Sequence, residues 1–211
     1  SGLQDVYISD PNAWSAVVIN SSEFNKARRH IVDEEGNEVA QLVLNKSVTA
    51  ISNGAFRNSK NITSVIIPEN VETIGENAFY CCDSLETVVI SDGVSVISNN
   101  AFYSCSKLKT VSLPGGVTHI GSGAFGYCKG LTSLTVPDSL TVIGASAFAG
   151  CNLKDLYIAD PNAWCNISFG DQVASPAYGA AKLHILDAEG NEVASTISTE
   201  EFDKHAVVQF A

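Results

Sequence analysis

Six cysteines and four histidines are the side chains of this chain best suited to chemistry, so their spacing comes first. The cysteines are Cys81, Cys82, Cys105, Cys128, Cys151 and Cys165. The chain contains no Cys-x-x-Cys pair and no cluster of Cys with His, which argues against a metal site. Four of the six recur every 23 residues from Cys82 onward. Residues at one position of a repeat point the same way, so we predict a column of buried free thiols.

The histidines are spread through the chain at His30, His119, His184 and His205. Two of them share a repeated context, because the segment from His30 to Ala40 returns as His184 to Ala194. A duplicated position favours a structural role over membership of a catalytic triad. No Gly-x-Ser-x-Gly elbow, phosphate-binding loop or metal motif is present. We therefore predict no enzymatic activity, no cofactor and no metal site.

An acidic segment, Asp33-Glu-Glu-Gly-Asn-Glu38, is the remaining feature with a possible ligand. It lacks the Asp/Asn spacing of an EF-hand loop, so a solvated turn is favoured over a calcium site. The Gly-Asn pair lies between apolar segments, which is typical of a hairpin turn.

The frame that carries these residues is a repeat of 23 residues. Isoleucine recurs at Ile51, Ile74, Ile97, Ile120 and Ile143. An Ala-Phe pair recurs at Ala55-Phe56, Ala78-Phe79, Ala101-Phe102, Ala124-Phe125 and Ala147-Phe148. A fixed period of this length indicates a solenoid, in which each coil buries its apolar edge against its neighbours. Such a surface is regular and seldom contains a deep catalytic pocket.

Each coil is predicted to contain one short strand. In the coil that starts at Ile97, Val111 and Leu113 alternate inward, and Pro114-Gly115 ends the strand. Ala101-Phe102 lies in a short helical or turn segment, and Ile120 begins a second extended edge. Stacked coils then give a parallel sheet with strands about 4.8 Å apart.

Two longer units bracket the short coils. The segment from Leu3 to Trp14 returns as Leu153 to Trp164, with Asp-Pro-Asn-Ala-Trp in both copies. Asp-Pro is typical of a helix N-cap followed by proline at the first helical position. We interpret both tryptophans as core plugs, with a ligand platform as the alternative.

The repeat predicts one elongated domain over residues 1–211. It comprises a long insert-bearing unit (1–50), short units (51–152), and a second long unit with a C-terminal cap (153–211). The chain lacks Met and starts in mid-coil, so we expect a processed or excised fragment. The net charge of -11 disfavours nucleic acid and anionic membranes as partners. No apolar run approaches the ~18 residues of a membrane span.

The repeated unit resembles the BspA-like leucine-rich repeats of the Treponema pallidum type. The resemblance rests on Ile-x3-Ala-Phe-x2-Cys-x2-Leu-x2-Val-x-Ile-Pro-x2-Val-x2-Ile and the Asp-Pro-Asn-Ala-Trp units, and covers residues 3–195. Departures are Ser59 for Cys, Ser91 and Ala159 for Pro, and a one-residue deletion before Leu153. The resemblance implies a right-handed leucine-rich-repeat α/β solenoid with a parallel sheet face and short helical or 3-10 turns. It also implies a non-catalytic bacterial surface or secreted protein involved in adhesion to host matrix or serum proteins.

The family has no invariant binding residues, so candidate sites come from the strand pattern alone. Residues between inward positions face outward and form two columns. The first is Ser64, Thr87, Thr110, Ser133 and Asp155, and the second is Ile66, Val89, Ser112, Thr135 and Tyr157. This strip is either a contact surface for a protein or a consequence of β-branched residues suiting strands. A second candidate patch is Tyr80, Tyr103 and Tyr127, for which we favour a structural role although Tyr is enriched at interfaces.

Three functions are compatible with these sequence features. The leading one is an adhesin-like, monomeric protein-binding module at the cell surface, whose export signal is absent from this chain. The second is a rigid spacer that displays another domain. Weak carbohydrate binding is the third, and it ranks last because exposed aromatic platforms are few.

Overall fold

A computed structural model describes residues 3–17, 26–171, 175–176, 182–193 and 197–198 of the chain. These residues form a parallel β-solenoid of about seven turns, with the expected spacing of about 23 residues. The predicted leucine-rich-repeat fold is confirmed. The core is one cluster of buried apolar side chains that runs from Ile8 to Leu183.

The strands form two sets that line different sides of the solenoid, joined by tight turns. The first set is β1 (Asp5–Ile8), β2 (Arg28–Ile31), β3 (Gln41–Val43), β5 (Ser64–Ile67), β7 (Thr87–Ile90), β9 (Thr110–Ser112), β11 (Ser133–Val136), β13 (Asp155–Ile158), β15 (Lys182–Ile185) and β16 (Ile197–Ser198). The second set is β4 (Ala50–Ile51), β6 (Thr73–Ile74), β8 (Val96–Ile97), β10 (His119–Ile120), β12 (Val142–Ile143) and β14 (Ser168–Phe169). Within the described residues, the long units contain the five-residue helices α1 (Pro11–Ser15) and α2 (Pro161–Cys165).

Parallel pairing with no slip in register follows directly from the fixed period. The first set divides into the sheets β1-β2, β3-β5-β7-β9 and β11-β13-β15-β16, and the second set forms one six-stranded sheet. Ser64 pairs with Thr87, and Thr87 with Thr110, each 23 residues further along. Equivalent side chains therefore stand directly opposite one another in neighbouring coils. The exception is β16, which pairs antiparallel with β15.

Alternation within each strand separates the core from the outer surface. In β5 the side chains of Val65 and Ile67 are fully buried, whereas Ser64 and Ile66 are half-buried on the outer side. Opposite the strands, the phenylalanines of successive Ala-Phe pairs stack in a row with ring centroids 5.1–5.4 Å apart. This spacing lies in the range favoured for aromatic pairs. Phenylalanine at the same position of every coil therefore packs against its neighbours and leaves no gap in the core.

The Ala-Phe segments are hydrogen-bonded turns, as predicted. Phe79 N–H donates to the carbonyl of Ala101 in the next coil at 2.7 Å, and the amide of Ala78 donates to Gly75 within its own turn. Asn77 and Asn100 begin their turns with φ of 56° and 54°, a left-handed conformation that Asn tolerates well. The turn backbone thus finds partners both within and between coils.

The cysteine column is buried, and its thiols also donate hydrogen bonds. Each Sγ lies 3.1–3.2 Å from the carbonyl oxygen of the phenylalanine 26 residues earlier, as for Cys105 and Phe79. Cys82, Cys105 and Cys128 are buried and Cys151 is half-buried; all six cysteines are free thiols. Burial raises the pKa of Cys151 to about 12, and the pKa values of Cys105 and Cys128 are also raised by burial. Cys105, Cys128 and Cys151 therefore stay protonated and able to donate.

The long units contain the predicted helix caps and hairpins. The Asp10 carboxylate accepts from the amides of Asn12 and Ala13, and Asp160 accepts from the amide of Asn162. In the first hairpin Val32 bridges antiparallel to Glu38, and Gly36 adopts a φ of 85°. Asp33 accepts hydrogen bonds from the amides of Glu35 and Asn37, so this carboxylate organises its own turn.

The two tryptophans differ in burial. Trp164 is buried, as expected of a core plug. Trp14 is half-buried, and its indole N–H donates to the carbonyl of Ala55 at 2.5 Å. The C-terminal cap predicted at the end of 153–211 lies outside the described residues, apart from the pairing of Ile197–Ser198 with β15.

Candidate binding surface

The two predicted outward columns lie on the outer side of the strands, and together we call them the strand strip. Within each sheet their members stand in register, for example Ile66 opposite Val89 and Thr135 opposite Tyr157. Exposed members are Val89, Thr110, Ser112, Ser133 and Thr135. Half-buried members are Ser64, Ile66, Thr87, Asp155 and Tyr157.

The strand strip extends one coil further than the sequence pattern predicted. Gln41 and Val43 pair with Ser64 and Ile66, and the side chain of Val43 is 52% exposed. These two residues lie 23 positions before their partners, so the period itself was the signal that could have found them. The hairpin of the first long unit obscured this period, because the hairpin separates β2 from β3 along the chain.

Charges beside the strand strip are paired across coils. Lys109 Nζ lies 2.7 Å from a carboxylate oxygen of Glu86, and Lys46 lies 2.7 Å from Glu69. The hydrogen bond from Lys109 lowers the pKa of Glu86, and that from Lys46 lowers the pKa of Glu69. Exposed pairs of this kind contribute little to stability because water and salt screen them. The strand strip itself carries no charged side chain between Ser64 and Thr135.

At each long unit a histidine bridges two carboxylates in an arrangement that we call a histidine clamp. In the first clamp, His30 Nε2 lies 3.0 Å from Asp5 Oδ1, and Nδ1 lies 2.6 Å from Glu38 Oε1. The ring also stacks on Tyr7, with centroids 4.8 Å apart. Arg28 binds the same Asp5 at 2.8 Å. The clamp therefore ties β1, β2 and the hairpin together.

The second clamp repeats this geometry with different residues. His184 Nε2 lies 3.0 Å from Asp155 Oδ1, and Nδ1 lies 2.9 Å from Glu192 Oε1. Its ring stacks on Tyr157 at 4.6 Å. Asp155 and Tyr157 belong to the strand strip, so this clamp fixes the aromatic end of the strip. Tyr157 is half-buried beside β11, whereas its counterpart Tyr7 is 67% exposed.

The clamps raise the pKa of their histidines and so favour the charged form of the ring. Burial lowers the pKa of His30, but hydrogen bonds to Glu38 and Asp5 outweigh it, so the pKa is raised. The hydrogen bond to Glu192 leads the causes that raise the pKa of His184. The pKa of Asp5 is lowered by its bonds to His30 and then to Arg28. With a carboxylate on each ring nitrogen, neither nitrogen of the imidazole is free to serve as a general base.

The tyrosine patch forms one continuous ladder on the turn side. Tyr80 stacks on Tyr103 with centroids 5.2 Å apart, and Tyr103 meets Tyr127 edge-on at 5.3 Å. The guanidinium of Arg57 lies 4.1 Å above the ring of Tyr80. The rings cover one another's faces, and only Tyr127 is largely exposed, at 47%.

Neither a metal-binding arrangement of side chains nor a membrane-spanning helix is found in the described ranges. Within them, no group of three or more His, Cys, Asp or Glu side chains is arranged to hold a metal ion. No helix there has the length and apolarity required to cross a bilayer.

Comparison with known proteins places this repeat in a family. The model of the BspA-type leucine-rich repeat region matches residues 35–154 in six copies, which is more than half of the chain. The chain belongs to the BspA-type leucine-rich repeat family. Repeat solenoids of this family are typically non-catalytic, and leucine-rich repeats generally mediate protein interactions. Among curated proteins, none matches the sequence significantly.

Solved structures with the same fold include one protein described as a cell surface protein and one described as a vaccine antigen. The leucine-rich repeat protein of T. pallidum is 23% identical with a TM-score of 0.54, over 62% of this chain and 68% of its own. A leucine-rich cell surface protein of Faecalibacterium prausnitzii is 23% identical with a TM-score of 0.62, over 81% of this chain and 52% of its own. The pneumococcal vaccine antigen PcpA is 16% identical with a TM-score of 0.58, and the match covers 88% of this chain and 51% of PcpA. The BspA-type chain thus spans about half the length of the latter two proteins.

Proposed function

We propose that this chain is a surface-displayed or secreted protein-binding module that acts through the strand strip and has no catalytic activity of its own. The observation that carries the proposal is the strip itself. Short hydroxyl side chains stand in register over neighbouring coils, with exposed Val43 and Val89 towards one end and Tyr157 at the other. A flat surface of this kind loses little side-chain entropy on binding a protein, and its apolar ends supply contact area.

Two comparisons support a location at the cell surface. One structure of the same fold is described as a cell surface protein and another as a vaccine antigen. A partner in the extracellular matrix or serum of a host fits an adhesin at such a location. The strip carries no charge cluster, so we expect an apolar and hydrogen-bonded interface whose affinity depends weakly on salt.

A rigid spacer is the alternative function. The continuous core and the in-register pairing between coils suit a stiff element that holds another domain away from a cell. A spacer predicts no affinity in the strand strip, which separates the two functions in one experiment.

The experiment measures binding of the purified chain to an array of host extracellular proteins and glycans. A variant with glutamate at Thr87, Thr110 and Ser133 is measured in parallel, after circular dichroism has shown an unchanged fold. A control variant carries the same three charges at Asn70, Ser106 and Ser122, which are exposed away from the strip.

Each outcome assigns the function. Binding that is lost in the strip variant and kept in the control supports the proposal. Binding that survives in both variants places the contact elsewhere, with the tyrosine ladder as the next surface to test. A protein that binds nothing on the array, at concentrations where a known adhesin binds, contradicts the proposal and favours the spacer.

A further inference from the structure

Arg29 is a fully buried arginine at a position that is apolar in the second long unit. Its side chain in β2 has a relative exposure of 0% and is among the largest fully buried side chains of the chain. The equivalent residue in the second unit, immediately before His184, is Leu183, which is also buried. The same position of the repeated unit is therefore apolar in one copy and charged in the other.

The hydrogen bonds of Arg29 use only one part of its guanidinium. Nη1 donates to the carbonyl oxygen of Arg57 at 2.5 Å. Nε and Nη2 are buried without a hydrogen-bond partner. These two nitrogens share one edge of the planar group, and this edge is the fork that binds anions in bidentate fashion.

Further unpartnered polar atoms belong to the residues next to this fork. Ser59 is the parallel bridge partner of Arg29, and its buried hydroxyl has no hydrogen-bond partner. Arg57, whose carbonyl caps Nη1, has its own Nε buried without a partner. Each of these groups can donate a hydrogen bond. These four buried polar atoms belong to three residues that the Arg29–Ser59 bridge and the Arg29–Arg57 hydrogen bond bring together, where the first long unit meets the first short coil.

The positive charge at this junction has no matching carboxylate in the described part of the chain, where no salt bridge involves Arg29 or Arg57. Burial lowers the pKa of Arg29 to about 10, so the guanidinium remains charged at neutral pH. A buried, unpaired charge is costly, and so is each buried donor without an acceptor. A bound anion would offset both costs at once.

We propose that the Arg29 fork, with the Ser59 hydroxyl and Arg57 Nε, binds a small monovalent inorganic anion of the chloride type. Full burial of Arg29 favours a small ion, and the net positive charge of the two arginines favours an anion over water. The ion joins β2 to the turn at residues 57–59 and stabilises the junction between the two kinds of unit. This site is independent of the strand strip.

The test measures the thermal midpoint of the intact chain as chloride or bromide replaces gluconate at constant ionic strength. We expect a saturable rise in Tm, because a ligand that binds only the folded state raises its stability with concentration. Arg29→Leu, which copies the second unit, abolishes this dependence. Arg28→Leu removes the same charge from the exposed neighbour and keeps the dependence.

A crystal soaked in bromide, measured at the bromine absorption edge, locates the ion directly. An anomalous peak beside Arg29 in the parent and its loss in Arg29→Leu support the site. A water at this position, or a Tm that does not respond to halide, overturns the proposal. A further variant tests Glu23, which lies outside the described residues. If the Tm of the parent does not respond to halide and Glu23→Gln lowers that Tm, the carboxylate of Glu23 is the counter-charge of Arg29. This outcome also overturns the proposal.

Discussion

His184 Nε2 lies 3.0 Å from Asp155 Oδ1, although the two residues are 29 positions apart. The other ring nitrogen lies 2.9 Å from Glu192, so both nitrogens face carboxylates. Only the doubly protonated imidazole can donate to both partners. The same relationship in the first unit, between His30, Asp5 and Glu38, makes the histidine clamp a repeated feature of the long units.

The first prediction concerns the pH dependence of stability that the clamps confer. The pKa values of His30 and His184 are raised in the folded state, so their contribution is complete below the unfolded value of ~6.5 and is lost as pH rises through the folded pKa. The pKa of Asp5 is lowered, so its contribution is lost as pH falls below ~4. The clamps therefore stabilise most between these limits.

The measurement compares the Tm of the parent with that of the double variant His30→Gln, His184→Gln from about pH 4 to about pH 9. The parent should exceed the variant most near pH ~5 to ~6, between the two limits, and the difference should shrink at alkaline pH. Two curves that run parallel over the whole range would show that the clamps do not titrate. Histidine resonances followed by NMR give the two pKa values directly.

A second prediction concerns the role of the thiol in the cysteine column. Cys105 Sγ donates to the carbonyl of Phe79 at 3.1 Å. Cys105→Ser keeps a donor, whereas Cys105→Ala leaves that carbonyl without the bond from the side chain. We expect the serine variant to be the more stable of the two by about 1 kcal/mol, the usual contribution of such a bond. Urea denaturation measures the difference, and alanine proving the more stable would show that the column acts only as apolar filler.

A third prediction uses two adjacent glycines in the turn after β9. A Cβ at Gly116 would lie 2.2 Å from the carbonyl oxygen of Asp92 in the previous coil, whereas a Cβ at Gly115 would meet nothing within 4 Å. Gly116→Ala must push two coils apart and should cost about 2 kcal/mol or more. Gly115→Ala is the matched control and should change stability by no more than about 1 kcal/mol. Equal effects in chemical denaturation would contradict the predicted close approach between coils.

Much of the fold follows from the sequence because the fixed period specifies contacts that are long-range in other folds. A step of 23 residues puts Thr87 opposite Thr110 before any coordinate is known, and alternation assigns Val88 inward and Val89 outward. The helix cap at Asp160 and the turn at Gly36 are local, so residue type alone predicted them. The candidate strip was accessible from sequence for the same reason, apart from Gln41 and Val43 beyond the inserted hairpin.

Other features depended on the tertiary structure, because their partners come from segments without a shared period. The clamp residues recur in both units as Asp5 and Asp155, His30 and His184, and Glu38 and Glu192. Only the return of the hairpin onto β1 and β2, or β13 and β15, brings each set into contact. The orphan fork of Arg29 was equally invisible, since burial and the absence of a partner are properties of packing. The sequence determined the position of each residue within its coil. The tertiary structure decided which side chains from different segments come into contact.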